Sequence, residues 1–251
     1  MPSTAIEVSG LSKRFDDVAA VDHLSFTVQA GTVTALLGGK GAGKTTTMGM
    51  ILGLVTPSEG RIVVLGRDMP HERAAILPRL NFSSPYVDLP HRLTVRQNLV
   101  VYAHLYGLRG IRERLQVLAS EFDLGELMHR TTGTLSAGQK TRLALAKSLI
   151  NEPDVLLLDE PTASLDPDSA DWIRRYLQSY QQRTGATILL ASHNMTEVER
   201  LADDVIMLRR GVIVDQDAPV RLIARYGRQN LEEVFLDIAR GTERRQAETL
   251  V

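Results

Sequence analysis

Apolar and polar residues alternate along Ile6-Glu7-Val8 and Leu24-Ser25-Phe26-Thr27-Val28, the period-two pattern of half-exposed antiparallel strands. Between them Lys13-Arg14-Phe15-Asp16-Asp17 reads as a polar turn carrying one aromatic. The run Val33-Thr34-Ala35-Leu36-Leu37 is continuously apolar in character and ends at a cluster of glycines, after which Thr46 to Leu54 reads as a helix. Thr56-Pro57-Ser58-Glu59-Gly60 is a turn, and Arg61 to Leu65 a strand closed by Gly66. The stretch Asn81 to His91 is loop-rich. Thr94 to Leu105 and Ile111 to Phe122 are helical in pattern, the second with Ile111, Leu115 and Leu118 on one face.

Leu135 to Ile150 predicts a third helix. Val155-Leu156-Leu157-Leu158 is an unbroken apolar run ending in Asp159-Glu160, which suits a parallel strand buried on both faces. Asp166-Pro167 opens a helix by the N-cap and first-turn proline rule, with Trp172, Ile173, Tyr176, Leu177 and Tyr180 as its apolar stripe. Thr187 to Ala191 is the next buried strand, followed by Ser192-His193-Asn194. Val205 to Leu208 and Val212 to Val214 form a hairpin around Arg209-Arg210-Gly211. From Asp217 the pattern is helical, with Asn230 as an N-cap and Leu231, Val234, Phe235 and Ile238 sharing a face. Strands alternating with helices predict an α/β domain with a mainly parallel sheet, preceded by an N-terminal antiparallel β part. The segment from about 81 to 151 breaks the alternation with helices only, and reads as an inserted helical subdomain. On this pattern residues 1–215 form the main domain and 216–251 a C-terminal helical extension.

Composition narrows the function classes. A chain of 251 residues with 43% hydrophobic content suits one large domain, or one domain with an appendage. A net charge of −1 gives no general reason to expect nucleic-acid binding. Without cysteine there is neither a disulfide framework nor a thiolate metal site. Met1 to Phe15 lack the apolar core of a signal peptide. The longest apolar run, Met48 to Val55, is far short of the ~18–20 residues of a membrane span. The expectation is a soluble cytoplasmic protein whose membrane role, if any, comes through a partner.

The stretch Gly38-Gly39-Lys40-Gly41-Ala42-Gly43-Lys44-Thr45-Thr46 lies between an apolar strand and a helix start. Glycines let backbone N–H groups approach a polyphosphate, and the helix N-terminus adds partial positive charge. In such a loop Lys44 reaches the β- and γ-phosphates of a nucleotide and the Thr45 hydroxyl ligates Mg²⁺. The bland alternative is a glycine-rich turn with a surface lysine, but the flanking strand and helix are what the phosphate loop requires. Asp159 and Glu160 stand at the carboxyl end of a buried strand, where ligands bind in open α/β sheets. Asp159 is expected to hold Mg²⁺ through water, and Glu160 to orient or deprotonate an attacking water. Ser136 with Gln139 three residues on matches a helix capping box, which by itself needs no ligand.

With Leu135-Ser136-Ala137-Gly138-Gln139 leading a long helix into the acidic strand, the chain resembles the nucleotide-binding subunit of an ATP-binding-cassette (ABC) transporter over about residues 4–215. Gly38–Thr45 resembles Walker A, and Leu135–Gln139 the "LSGGQ" signature with alanine at its third position. Val155–Glu160 resembles Walker B plus the catalytic glutamate, Ser164-Leu165-Asp166 the D-loop, and His193 the switch histidine. The resemblance implies a P-loop NTPase fold and a Mg²⁺-dependent ATPase whose domains pair head to tail as a homodimer. ATP would lie between the loop of one copy and the signature of the other, with Ser136 and the Gly138 amide on the γ-phosphate. It further implies a γ-phosphate contact from His193, a link between the two sites through Asp166, and adenine stacking by Phe15. A histidine at a strand end can equally be an ordinary polar residue, and an aromatic in a turn can pack on the sheet.

Two departures from the family pattern stand out. Members usually carry a glutamine at the entry to the helical subdomain, whereas Asn81-Phe82-Ser83-Ser84-Pro85 fills that region here and no Gln occurs between Gly60 and Arg96. Either Ser83 or Ser84 substitutes, or hydrolysis and its coupling are altered. Gly39-Lys40 replaces the commoner Pro-Asn, so Lys40 either adds charge near the phosphates or points into solvent. The tail Asn230-Leu231-Glu232-Glu233-Val234-Phe235-Leu236 resembles the end of stand-alone ATPase subunits of multidrug-type exporters; its bland reading is an amphipathic helix packed on the main domain or on a second copy. The leading expectation is an ATPase at the cytoplasmic face of the membrane that powers a separate integral membrane permease, an exporter, without nucleic acid. The competing ones are a soluble ABC ATPase acting on nucleic acid or ribosomes, and a nucleotide-gated module with weak hydrolysis.

Overall fold

A computed structural model of the chain describes residues 4–69, 71–85, 87–163 and 165–240. In chain order these form β1 (Thr4–Phe15), β2 (Val18–Gln29), β3 (Val33–Gly38), α1 (Lys44–Ile51), β4 (Glu59–Val64), β5 (Arg67–Met69), α2 (Arg73–Ile76) and β6 (Leu80–Ser83). There follow α3 (Val95–Leu105), α4 (Ile111–Glu121), α5 (Ala137–Ser148), β7 (Val155–Asp159), α6 (Pro167–Thr184), β8 (Thr187–Ser192), α7 (Met195–Leu201), β9 (Asp204–Arg209), β10 (Val212–Asp217), α8 (Pro219–Tyr226) and α9 (Leu231–Arg240). The chain divides into two compact units, residues 1–73 with 187–251, and residues 74–186. Among the described residues no helix is long and apolar enough to cross a membrane.

In the first unit β1 runs antiparallel between β2 and β4, and β4 carries β5 at the edge. The alternating stretches near Ile6 and Leu24 are the centres of longer strands. Pairing continues through Lys13↔Val21, Arg14↔Ala19 and Phe15↔Val18, so the expected turn from Lys13 shrinks to Asp16 and Asp17. A second set of strands is parallel where it matters most: β3 pairs parallel to both β8 and β9, and β10 closes antiparallel on β9. Every residue of β3 and of β8 is buried, as their unbroken apolar runs predict.

Helices α7 to α9 cover this part of the unit. Leu231, Val234 and Ile238 of α9 join Ala35, Leu37, Val205 and Met207 in one core, with Phe235 packed at its margin. Each buried aliphatic side chain contributes roughly 1.5–3 kcal/mol relative to exposure. Asn230 caps α9 by accepting from the Glu233 amide at 3.0 Å, and Arg209 donates to the Ile238 carbonyl at 2.7 Å. The apolar face of α9 thus packs within its own unit. Residues 241–251, the rest of the expected extension, lie outside the described residues.

In the second unit β6 and β7 pair in parallel from Leu80↔Val155 to Ser83↔Leu158. The expectation of a loop from Asn81, and of helices only from 81 to 151, is corrected here. Asn81 and Ser83 break the apolar signature of this short strand, and its partner is distant in sequence. Burial of Asn81 is compensated by donation to Asn151 Oδ1 at 2.7 Å and acceptance from the Phe82 amide at 2.8 Å. Helix α3 starts at a capping box, with Thr94 Oγ1 accepting from the Gln97 amide (3.1 Å) and Gln97 Oε1 from the Thr94 amide (2.8 Å). On α4, Leu115 and Leu118 are buried, with Ile111 only partly so. Along α6, Ile173, Leu177 and Tyr180 are buried while Trp172 and Tyr176 sit half-buried at its margin.

Candidate functional site

The phosphate loop is built by β3 delivering the chain at Gly38 and α1 taking it up at Lys44. The helix starts two residues before the expected Thr46, because Gly43 at φ +100° is its N-cap. A Cβ on Gly43 would approach the Ala20 carbonyl oxygen to 2.7 Å, so both the backbone angle and the space demand glycine. The Ala42 amide turns back to the Gly39 carbonyl at 3.1 Å, and the Gly211 amide donates to the Ala42 carbonyl at 3.1 Å, tying the loop to the β9–β10 turn.

Lys44 Nζ crosses the loop to the Gly38 and Gly39 carbonyls, at 2.5 and 3.3 Å. No side chain caps α1, and no acidic residue stands in its first turn. The helix itself therefore supplies no acidic side chain at its positive end. Gly39 and Gly41 border open space, where an added Cβ would meet nothing within 4 Å. Glycine amides at a helix start beside an ammonium are the chemistry that a polyphosphate takes. Thr45 is exposed at the helix start, Thr46 is half-exposed, and Lys40 is exposed.

Two further predicted residues belong to the same unit. Phe15 is 49% exposed at the end of β1, and the Lys13 ammonium lies 5.0 Å from its ring centroid. The remaining ring surface is accessible rather than packed into the sheet. His193 is exposed in the turn after β8. That turn is fixed on both sides: Ser192 Oγ donates to Glu197 Oε2 (2.8 Å) and accepts from the Asn194 amide (3.0 Å), and Asn194 caps α7.

The second unit carries the other predicted residues. Asp159 ends β7 at 3% exposure, and Glu160 follows in the left-handed region at φ +51°. A glutamate held there is strained by about 1–3 kcal/mol, a condition that concentrates at functional positions. Ser136 and Gln139 form the expected capping box, with Ser136 Oγ 3.3 Å from the Gln139 amide and Gln139 Oε1 3.0 Å from the Ser136 amide. The Gln139 carboxamide oxygen is committed to this cap, leaving Ser136, Ala137 and Gly138 to present the α5 N-terminus. Asp166 caps α6, accepting from the Ser169 amide at 2.9 Å. That bond holds the Asp166 carboxyl below the usual carboxylate range. Ser164 lies outside the described residues.

A cavity of about 330 Å³ opens beside Glu160, lined among others by Ser83, Ser84, Leu89, Lys140 and Thr141. Ser83 and Ser84, where the family glutamine is missing, therefore share this cavity with Glu160.

Sequence reasoning missed Lys147. Its ammonium donates to the Phe82 carbonyl at 2.8 Å and lies 5.4 Å from the Tyr102 ring centroid, and desolvation lowers its pKa to about 8. The signal was present: Leu143, Ala146 and Ile150 set an apolar stripe, and Lys147 falls on it at helical spacing.

Comparison with known proteins gives a concordant answer. A profile of the ABC transporter family matches residues 21–163. The chain is 39% identical over 225 residues to the Nod factor export ATP-binding protein I of Burkholderia lata, covering 89% of this chain and 74% of that one. It is 35% identical over 242 residues to the probable multidrug ABC transporter ATP-binding protein YbhF of Escherichia coli, covering 94% of this chain and 42% of that one. The solved structure of an ATP-binding subunit of an ABC transporter superposes with a TM-score of 0.85 at 26% identity, covering 93% of this chain and 99% of the other. With the glycine-rich turn into α1, the acidic end of β7 and the capped helix α5 already in hand, the chain belongs to the ABC transporter family as an ATP-binding cassette, an ABC-type ATPase.

Proposed function

We propose that this chain is the ATP-hydrolysing subunit of an export system, working as a homodimer on the cytoplasmic face of the membrane with a separate integral membrane permease. On this reading residues 1–215 are the cassette, about 81–151 its helical subdomain, and 216–251 an extension. The observation that carries the proposal is the glycine-rich loop between β3 and α1, in which the Lys44 ammonium lies against the Gly38 and Gly39 carbonyls at the start of a helix without a side-chain cap, beside the open positions Gly39 and Gly41. The export role follows the two relatives named above, whose own names assign them to Nod factor export and to a multidrug transporter.

In this mechanism the amides from Gly39 to Thr46 and the Lys44 ammonium bind the β- and γ-phosphates, and Phe15 stacks on the base. Thr45 and Asp159, a hydroxyl and a carboxylate, are hard oxygen donors of the kind Mg²⁺ takes alongside phosphate oxygens. When bound, Mg²⁺ neutralises charge that develops on the phosphates. Glu160 orients and deprotonates the attacking water, and His193 donates to the γ-phosphate. Ser136 and the Gly138 amide of the second copy close over the same phosphate from a helix N-terminus, and Asp166 links the two sites. Ser83 or Ser84 does the work of the missing glutamine through a hydroxyl.

Reconstitution with the permease tests this. Transport substrate is expected to raise the ATPase rate several-fold, and copurification to recover two cassettes per permease assembly. A negligible basal rate without stimulation favours instead a nucleotide-gated module, a reading prompted by Ser84, buried at 6% exposure where glutamine is usual. Salt-sensitive binding to DNA or RNA without permease association would replace both.

A further inference from the structure

Helices α5 and α6 begin side by side. A Cβ built on Gly138 would lie 3.5 Å from Ser169 Oγ, so the start of the signature helix touches the first turn after Asp166. One turn further along, the Arg142 guanidinium carbon stands 4.9 Å from the Trp172 ring centroid. Arg142 Nη1 also lies 3.1 Å from Asp123 Oδ2. The indole is itself fixed, edge-on to the buried Phe122 at 5.7 Å and stacked on Tyr176 at 5.5 Å.

We infer that Arg142 and Trp172 form a positioning pair that keeps the start of α5, Ser136 to Gly138, in register with the start of α6 at Asp166, so that both meet a partner subunit's nucleotide as one body. This rests on the function proposed above. Neither residue touches the nucleotide.

Magnitudes select the aromatic contact over the ion pair. Asp123 is 89% exposed in its side chain, and exposed pairs contribute little. The guanidinium over a half-buried indole is the more strongly coupled partner, and its planar face is something lysine lacks. Misplacing a reacting contact by 1 Å costs up to about 10²-fold in rate, so a small drift of α5 relative to α6 suffices to affect turnover.

The test compares steady-state ATPase of the full-length protein carrying Arg142→Gln, Arg142→Lys, Trp172→Phe, Trp172→Leu, Asp123→Asn or Glu160→Gln, each below its own melting temperature. Arg142→Gln and Trp172→Leu are each expected to lower kcat about tenfold with KM for ATP nearly constant. Their combination is expected to be no worse than either alone. Trp172→Phe, which keeps an aromatic face, and Asp123→Asn should stay near wild type, with Arg142→Lys between the extremes. Trp172 is the single tryptophan of the chain, so its emission reports directly on the pair. In the Glu160→Gln background, adding ATP and Mg²⁺ should shift that emission, and Arg142→Gln should abolish the shift. Arg142→Gln at the wild-type rate beside an inactive Glu160→Gln overturns the pair alone, as do multiplicative losses in the double variant. A lowered Tm with unchanged kcat also overturns it, by reducing the contact to packing. Full turnover by Glu160→Gln sinks the underlying reading, and this inference with it.

Discussion

The Lys147 ammonium donates to the Phe82 carbonyl oxygen at 2.8 Å, joining α5 to the strand that leads into Ser83 and Ser84. Desolvation brings its pKa to about 8, whereas in the unfolded chain it titrates near 10.4. Between those values the folded state binds fewer protons than the unfolded one, so this group makes stability rise with pH from about 8 upward. Burial pushes the Tyr180 phenol up to about 12, and above about pH 10 its ionisation in the unfolded chain opposes the trend. Urea unfolding from pH 7.5 to 9.5 should show the wild type gaining roughly 1–2 kcal/mol on Lys147→Met. Parallel stability curves for the two proteins would refute the assignment.

Glu160→Gln keeps the side-chain shape and removes the proposed base. Turnover is expected to fall by about two decades or more, while equilibrium binding of ATP survives. A variant that hydrolyses at the wild-type rate would show that another group activates the water.

Lys44→Ala removes the cation that spans the Gly38 and Gly39 carbonyls. Charge-assisted bonds to phosphate are worth about 1.5–3 kcal/mol each, so ATP affinity should drop by about tenfold or more with loss of turnover. Calorimetric titration checks the first effect and phosphate release the second. Undiminished turnover would remove the phosphate loop from the mechanism.

Ser136 caps α5 and is proposed to bind a γ-phosphate, and substitution can separate the two. Its oxygen accepts from the Gln139 amide, so Ser136→Ala should cost about 1 kcal/mol of stability through the lost cap. Ser136→Asp preserves the cap and suits the helix dipole, so the protein should be at least as stable as wild type. A carboxylate cannot donate to a γ-phosphate and repels it, and turnover should therefore collapse. Activity in Ser136→Asp would leave Ser136 as a cap and nothing more.

Local signals carried most of this architecture. Buried runs such as Val155 to Leu158 gave their strands, Asp166-Pro167 gave the start of α6, and Asn230 that of α9. What local pattern could not supply were features made by distant partners. Strand β6 owes its existence to β7, and the tip of β1 continues as strand because β2 pairs with it. The glycine-rich turn into α1 and the Ser136–Gln139 capping box were legible because each is a short segment whose geometry is set locally. Lys147 and the Arg142–Trp172 contact were not, since both join elements far apart in sequence.

The left-handed backbone of Glu160 sets a conflict between durability and chemistry at one position. Glycine adopts φ +51° without steric strain, so Glu160→Gly is expected to relieve about 1 kcal/mol of conformational strain while deleting the carboxylate proposed to activate water. The backbone angle at this position thus works against durability, while the carboxylate it presents is the one the proposed chemistry uses.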